Sequence, residues 1–157
     1  AVQKLSAAGT TGIAPAAVAK TLSQAKVLAN GQETSWGKWK IQAVPMYNIK
    51  RGPSAGQLFH TKGRGNGYVL TYGGKKIYIS GDTENIPEMR ALKGIDIAFV
   101  CMNLPYTMPV EEAADAVKAF HPKVVYPYHY RGQDTRKFAE LLQGTGIDVR
   151  LRDWYTN

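Results

Sequence analysis

Two residues stand where chemistry is easily hosted. Asp82 lies in Ser80-Gly81-Asp82-Thr83-Glu84, directly after the run Lys76-Ile77-Tyr78-Ile79. His129 lies in Tyr126-Pro127-Tyr128-His129-Tyr130, directly after Val124-Val125. Each follows a strand candidate, and in open α/β sheets ligands bind outside the carboxyl ends of strands. A carboxylate and an imidazole brought together there are hard and borderline donors suited to zinc, iron or manganese. The same pair suits general acid–base work. Taken singly, a Gly-Asp-Thr is also an ordinary turn and a histidine after a strand an ordinary hydrogen-bonded residue. Residue type alone leaves both assignments open.

Other eye-catching residues have structural explanations. His121 closes the helix that ends in Phe120, where a cationic imidazole complements the helix dipole. Cys101 sits in an apolar strand candidate and reads as inert core. Gly63-Arg64-Gly65-Asn66-Gly67 lacks the strand before and helix after that a phosphate cradle needs, so it reads as a sharply bending loop. Tyr68, Tyr72, Tyr78, Tyr126, Tyr128 and Tyr130 are residues that strands favour.

The elements that must position Asp82 and His129 can be read from periodicity. Ala16 to Leu22 reads as a helix led by Pro15, and the opening Ala1-Val2-Gln3-Lys4-Leu5 also has helical character. Trp39 to Val44 alternates apolar with polar, and residues 48–67 read as a long loop. Tyr68 to Tyr72, Gly73-Gly74 and Lys75 to Ser80 predict a β-hairpin. A short helix is expected near 85–92, with Asn85 as its cap and Glu88 three residues on. Asp96 to Met102 is a strand candidate. Pro109 to Phe120 is the clearest helix, with Val110, Ala113, Ala114, Val117 and Phe120 on one face. A strand over 124–128, a helix capped by Asp134 and stopped by Gly144, and a strand over 147–151 complete the pattern. Alternating strands and helices in the second half imply an α/β sheet covered by helices.

Length and composition bound the answer. A chain of 157 residues with 44% hydrophobic and 20% charged residues is a globular domain rather than a disordered one. No apolar run approaches the length of a membrane span. A single cysteine excludes an internal disulfide and does not fix the compartment. The chain shows no basic–apolar–small-residue leader, which tilts the expectation toward the cytoplasm. The net charge of +8 is concentrated. Between Glu33 and Asp82 there is no acidic residue, but there are Lys38, Lys40, Lys50, Arg51, Lys62, Arg64, Lys75 and Lys76. Such a segment either attracts an anionic partner or is a solvated basic face.

The whole set of motifs carries a resemblance. Gly67-Tyr68-Val69-Leu70, Gly74 to Glu84, Ile86-Pro87-Glu88-Met89, Asp96 to Val100, Glu111-Glu112-Ala113-Ala114 and Pro127-Tyr128-His129-Tyr130 resemble, in order and spacing, the metallo-β-lactamase superfamily. The likeness is to its general metal-dependent hydrolases, the branch with ascorbate-phosphate lactonases and N-acyl-phosphatidylethanolamine phospholipases. In that family the aspartate of Gly-Asp-Thr bridges two metals, a role the resemblance gives to Asp82. The histidine after the penultimate strand binds the second metal, a role it gives to His129. A further histidine from the preceding loop binds the first metal, which falls to His60. Asn48 is the rival position, although asparagine is a poor zinc ligand. Arg131 beside His129, with Lys62 and Arg64 near His60, would make the mouth of such a site positive and suit an anionic substrate.

One hallmark of the family is absent. The sequence holds only His60, His121 and His129, so it has no H-x-H-x-D-H motif. The expectation is a single domain over 1–157, truncated at its N-terminal side. It would keep mostly the C-terminal sheet and flanking helices of an αββα fold. Asp82, His129 and His60 would then hold at best one metal, zinc or another divalent transition ion. An apolar sheet face would lack its cover, which a two-fold dimer would bury. The resemblance implies a metal-dependent hydrolase acting on an ester, lactone or phosphodiester with an anionic group. The alternative is a catalytically silent, dimeric scaffold that binds an anionic partner through the basic 34–81 segment. Nucleic-acid binding through that segment is the weakest of the three readings.

Overall fold

Gly73 and Gly74 both adopt positive φ, 54° and 76°, and turn two alternating runs back on each other. This makes the expected hairpin, β5 (Gly65–Tyr72) with β6 (Lys75–Ile79). It is the centre of a computed structural model that describes residues 4, 6–22 and 24–155. The helical reading of residues 1–5 lies, Lys4 apart, outside the described residues. From the N-terminal side come β1 (Ile13–Ala14), the short helix α1 (Ala16–Ala19) and β2 (Lys26–Val27), then β3 (Glu33–Trp36) and β4 (Trp39–Met46). After the hairpin follow α2 (Pro87–Arg90), β7 (Ile97–Cys101), α3 (Val110–Phe120), β8 (Val124–Tyr128), α4 (Thr135–Leu141) and β9 (Asp148–Val149).

Strands β3 to β9 form one mixed seven-stranded sheet in sequence order, and β1 pairs with β2 separately. Pairing is antiparallel from β3 through β6 and parallel from β6 through β9. Parallel neighbours taken in sequence order, joined by right-handed crossovers, put every connecting helix on the same face. That face holds the core. Tyr78, Ala98, Val100 and Val125 point into it against Val110, Ala113, Ala114, Val117 and Phe120 of α3 and Phe138 of α4. Tyr78 meets Phe120 edge-on, with ring centroids 5.7 Å apart.

The intervening residues face the other way. Register aligns Ile41, Leu70, Ile77, Ile97 and Val124 in one row across the sheet, and Ala43, Tyr68, Ile79, Phe99 and Tyr126 in the next. All but Ala43 are only half-buried. Trp154 covers part of this face beside Phe99 and Tyr126. This second face of the sheet is apolar and partly accessible. No described helix is long and apolar enough to cross a membrane.

Two local expectations are corrected. Asn85 does not cap α2. The N-cap is Ile86, with no side-chain cap, and the Asn85 amide donates instead to Asp115 Oδ2 at 2.9 Å. The 48–67 loop ends earlier, because Gly65, Asn66 and Gly67 pair with Met46, Pro45 and Val44. A side chain at Gly67 would meet the Ser80 carbonyl oxygen at 2.7 Å, so the glycine permits a close strand approach that composition alone reads as a loop. Asp134 caps α4 as expected, accepting from the Arg136 and Lys137 backbone N–H groups. His121 is the C-cap of α3 in the left-handed conformation, and its ring Nε2 lies 2.9 Å from the Thr145 carbonyl. Cys101 is buried, and burial pushes its thiol pKa up, in keeping with an inert core position.

Candidate metal centre

Strand direction decides which loops can meet. β5 is antiparallel to both neighbours, so β4 runs the same way as β6, and β6, β7 and β8 are mutually parallel. The carboxyl ends of β4, β6, β7 and β8 therefore share one rim of the sheet. Asn48 follows β4, Asp82 follows β6, Asn103 follows β7 and His129 follows β8.

Asp82 reaches the rim through Gly81, whose φ of +64° is the left-handed region that side chains resist. A Cβ there would also stand 2.9 Å from the Asn66 carbonyl oxygen. His129 itself has φ 48°, and its backbone N–H donates to the Tyr155 hydroxyl at 2.8 Å. A non-glycine residue held in this region is uncommon and tends to mark a functional position.

The three expected ligands come together. His60 Nε2 lies 3.6 Å from Asp82 Oδ2, and His129 Nε2 lies 3.6 Å from Asp82 Oδ1. The carboxylate thus stands between two imidazoles and turns a different oxygen to each. Among the described residues no group of three or more His, Cys, Asp or Glu side chains surrounds a single point. The arrangement is two imidazole–carboxylate pairs that share Asp82.

The rival position, Asn48, explains how His60 is aimed. Asn48 is 1% exposed. Its Nδ2 donates to Glu84 Oε1 at 3.1 Å and to the Tyr106 carbonyl at 2.8 Å. Its Oδ1 accepts the His60 backbone N–H at 2.7 Å and lies 2.9 Å from His60 Nδ1. Both amide protons are engaged by acceptors, so the atom facing His60 is the oxygen. An oxygen cannot donate, so the ring proton sits on Nδ1. His60 Nε2 then carries a lone pair and faces a carboxylate oxygen at a distance too long for a hydrogen bond. Two acceptors aimed at each other call for a cation or a proton between them.

Beneath Asn48 lies a buried ionic cluster. Glu84 is 1% exposed and accepts the Arg51 backbone N–H at 2.8 Å, and the Arg51 guanidinium approaches it at 3.4 Å. Arg51 also forks onto Glu112, with both contacts at 2.9 Å. The guanidinium holds the Glu112 carboxyl below the usual carboxylate range. The loop after β7 ties both arms of the site together. Its Tyr106 carbonyl holds Asn48, and its Asn103 side chain lies 3.0 Å from His129 Nε2.

The three basic residues expected at the mouth are placed differently from one another. Arg131 lines a cavity of about 510 Å³ together with Asn103, His129, Tyr130, Gly132, Asp153 and Tyr155. Arg64 is exposed in the turn before β5. Lys62 is held by Glu88 at 2.5 Å and lies over the Tyr47 ring. The basic segment as a whole is largely neutralised. Lys40, Lys50, Arg51, Lys62 and Lys75, five of its eight cations, are ion-paired to Glu33, Glu112, Glu84, Glu88 and Asp96.

Sequence reasoning passed over Asn103, Glu84 and Tyr155, and weighed Asn48 only as a ligand. For Asn48 and Asn103 a signal existed, since each follows a strand that runs in the same direction as those before Asp82 and His129. Reading it required the sheet order.

Comparison with known proteins agrees with this fold. The sequence profile described as Beta-lactamase superfamily domain matches residues 4–129. A UPF0173 metal-dependent hydrolase from Symbiobacterium thermophilum is 39% identical over 111 residues, 61% of this chain and 50% of that protein. One from Thermus thermophilus is 32% identical over 123 residues, 74% of this chain and 51% of that protein. The chain thus spans about half the length of these curated relatives. Among solved structures, a protein assigned as a metal-dependent hydrolase from Parabacteroides distasonis superposes with a TM-score of 0.90. It is 45% identical, and the match covers 96% of this chain and 68% of that one. The metallo hydrolase Igni18 from Ignicoccus hospitalis shares the fold with a TM-score of 0.73 at 21% identity, covering 92% of this chain and 66% of that one.

Proposed function

The chain belongs to the β-lactamase superfamily, and on that premise we propose that its sheet rim is part of a metal-dependent hydrolytic centre. Asp82, His129 and His60 are its ligands, and its substrate is an ester, lactone or phosphodiester that bears an anionic group. One observation carries this reading. His60 Nε2, turned outward by the Asn48 contact at Nδ1, faces Asp82 Oδ2 at 3.6 Å, beyond hydrogen-bond length. Mutually facing acceptors are costly without a positive charge between them. The donor set fits a divalent transition ion, because imidazole nitrogen with carboxylate oxygen suits zinc, manganese and iron.

A divalent cation bound there would supply Lewis acidity toward the scissile carbonyl or phosphoryl group. The chain's own residues do the rest. Asp82 supplies negative charge shared between the two sides. Asn48 holds His60 in the tautomer that presents Nε2. Arg131, on the cavity beside His129, binds the anionic part of the substrate, where a guanidinium offers a planar fork of donors. Arg64, four residues from His60, adds positive potential to the approach. Lys62 is engaged by Glu88 and contributes less.

The test is metal content by elemental analysis of protein purified without chelators, with Asp82→Ala and His129→Ala in parallel. A panel of carboxylic and phosphoric esters is assayed on the same preparations. The expected result is a bound divalent ion in the parent and its loss in both variants, with any hydrolysis lost alongside. Metal retained in both variants would show that the rim is not the site.

A further inference from the structure

Asn103 is a buried polar side chain of the rim that stands beside His129. It follows β7, the strand between those that carry Asp82 and His129. The residue is 4% exposed. Its backbone is fixed by Thr107, which accepts the Asn103 N–H at 2.6 Å and returns a hydrogen bond to the Asn103 carbonyl at 3.1 Å. Its side chain is therefore presented from a rigid base at the back of the cavity that His129 and Arg131 also line.

The carboxamide is only half satisfied. Nδ2 lies 3.0 Å from His129 Nε2, whereas Oδ1 is buried and has no hydrogen-bond partner among the described residues. A carboxamide oxygen has two lone pairs, and buried polar atoms are nearly always partnered. An orphaned one is costly unless something outside the chain meets it. The position of the group narrows what that is. His129 Nε2 turns toward Asp82 Oδ1 at 3.6 Å, and the Asn103 amide stands beside the same nitrogen. Rotation about the Asn103 Cβ–Cγ bond exchanges the positions of the amide nitrogen and oxygen. With nitrogen forward, the amide occupies the His129 lone pair and leaves an oxygen orphaned. With oxygen forward, the rim presents imidazole nitrogen, carboxylate oxygen and amide oxygen together, while the amide N–H groups turn into the buried position the oxygen leaves.

We propose that Asn103 presents its carboxamide oxygen to the divalent cation held by His129 and Asp82 Oδ1, as this chain's third donor on that side. The proposal rests on the metal-centre reading above and deepens it. Three protein donors are the usual number at a catalytic site that keeps an open position. An added amide oxygen hardens the donor set and shifts its preference toward harder divalent ions such as manganese. A purely structural Asn103 makes the opposite prediction. If its amide only donates to His129 Nε2, it competes with the cation, and removing it tightens binding.

The experiment is competition of the metal-free full chain against a chromophoric chelator for Mn²⁺ and Zn²⁺. The visible absorption spectrum of the Co²⁺-loaded protein is read alongside. Asn103→Ala is expected to weaken Mn²⁺ and Zn²⁺ binding by roughly 10- to 100-fold, the loss typical when a metal centre's supporting groups are removed. It should also change the intensity of the Co²⁺ bands. Asn103→Asp keeps the shape, adds a negative charge and is expected to bind at least as tightly as the parent. Unchanged or tighter binding in Asn103→Ala, or weakened binding in Asn103→Asp, overturns the proposal. His129→Ala in the same titration separates the two failures. If it abolishes binding while Asn103→Ala does not, only the role of Asn103 falls. If it too binds like the parent, the metal centre itself falls.

Discussion

Replacing Asn48 with alanine tests the reasoning at its centre. The side chain makes four contacts: His60 backbone N–H at 2.7 Å, His60 Nδ1 at 2.9 Å, Glu84 Oε1 at 3.1 Å and the Tyr106 carbonyl at 2.8 Å. A buried hydrogen bond contributes about 0.5–1.5 kcal/mol net, and more when its partner is left buried and unpaired. The four losses are unequal. Glu84 keeps the backbone donors of Arg51 and Lys50, and the His60 ring, with 23% of its side chain exposed, can turn to water. The Tyr106 carbonyl and the His60 N–H lose the Asn48 partner outright. The sum is about 2–4 kcal/mol, a large share of the roughly 5–15 kcal/mol that holds a domain together. Urea unfolding reads it directly. With a slope of about 2 kcal/mol per molar, the midpoint falls by about 1–2 M. Asn48→Asp sharpens the test. It removes both Nδ2 donors and sets a second carboxylate against buried Glu84, so at neutral pH it should be at least as damaging as alanine. A loss below about 1 kcal/mol for alanine, or better tolerance of aspartate than of alanine, would refute both the hydrogen-bond assignment and the His60 tautomer derived from it.

Two further outcomes are expected. Gly81→Ala forces a side chain into φ +64° and against the Asn66 carbonyl at 2.9 Å. It should cost about 2 kcal/mol or more in the same urea measurement, and an unchanged midpoint would contradict the turn geometry that delivers Asp82. Asp96 is the second case. The Lys123 ammonium, the Lys76 backbone N–H and Lys75 hold its carboxyl at about 2, down from the usual 3.8. Its folded pKa is depressed, so the stabilisation is complete above the unfolded value and is lost as pH falls toward 2. Melting temperatures measured between pH 5 and 2 should therefore fall less steeply in Asp96→Asn than in the parent, and equal slopes would show that the cluster does not hold the carboxylate.

Much of the architecture is local and therefore legible. The alternation in Trp39 to Val44, the Gly73-Gly74 turn and the apolar stripe of α3 each express a period set by backbone geometry within a few residues. Asp82 and His129 could be singled out because each directly follows such a period. Where chemistry depended on partners far along the chain, residue types were silent. Nothing near Asn48 in sequence says that its oxygen faces His60 and its nitrogen faces Glu84 and Tyr106, because those partners are 12, 36 and 58 residues away. Nothing in the acid-free stretch from 34 to 81 says that most of its cations will be neutralised, because most of the carboxylates arrive from α2, α3 and their neighbouring loops. Asn103 belongs to the same class, as its significance lies in a shared strand direction and an unpartnered oxygen. The sequence by itself determined strands β4 to β9, the helices and two residues of the rim, since propensity and periodicity act locally. Strand order and register decided the rest, by bringing the ends of β4, β6, β7 and β8 to one edge and thereby choosing which side chains meet.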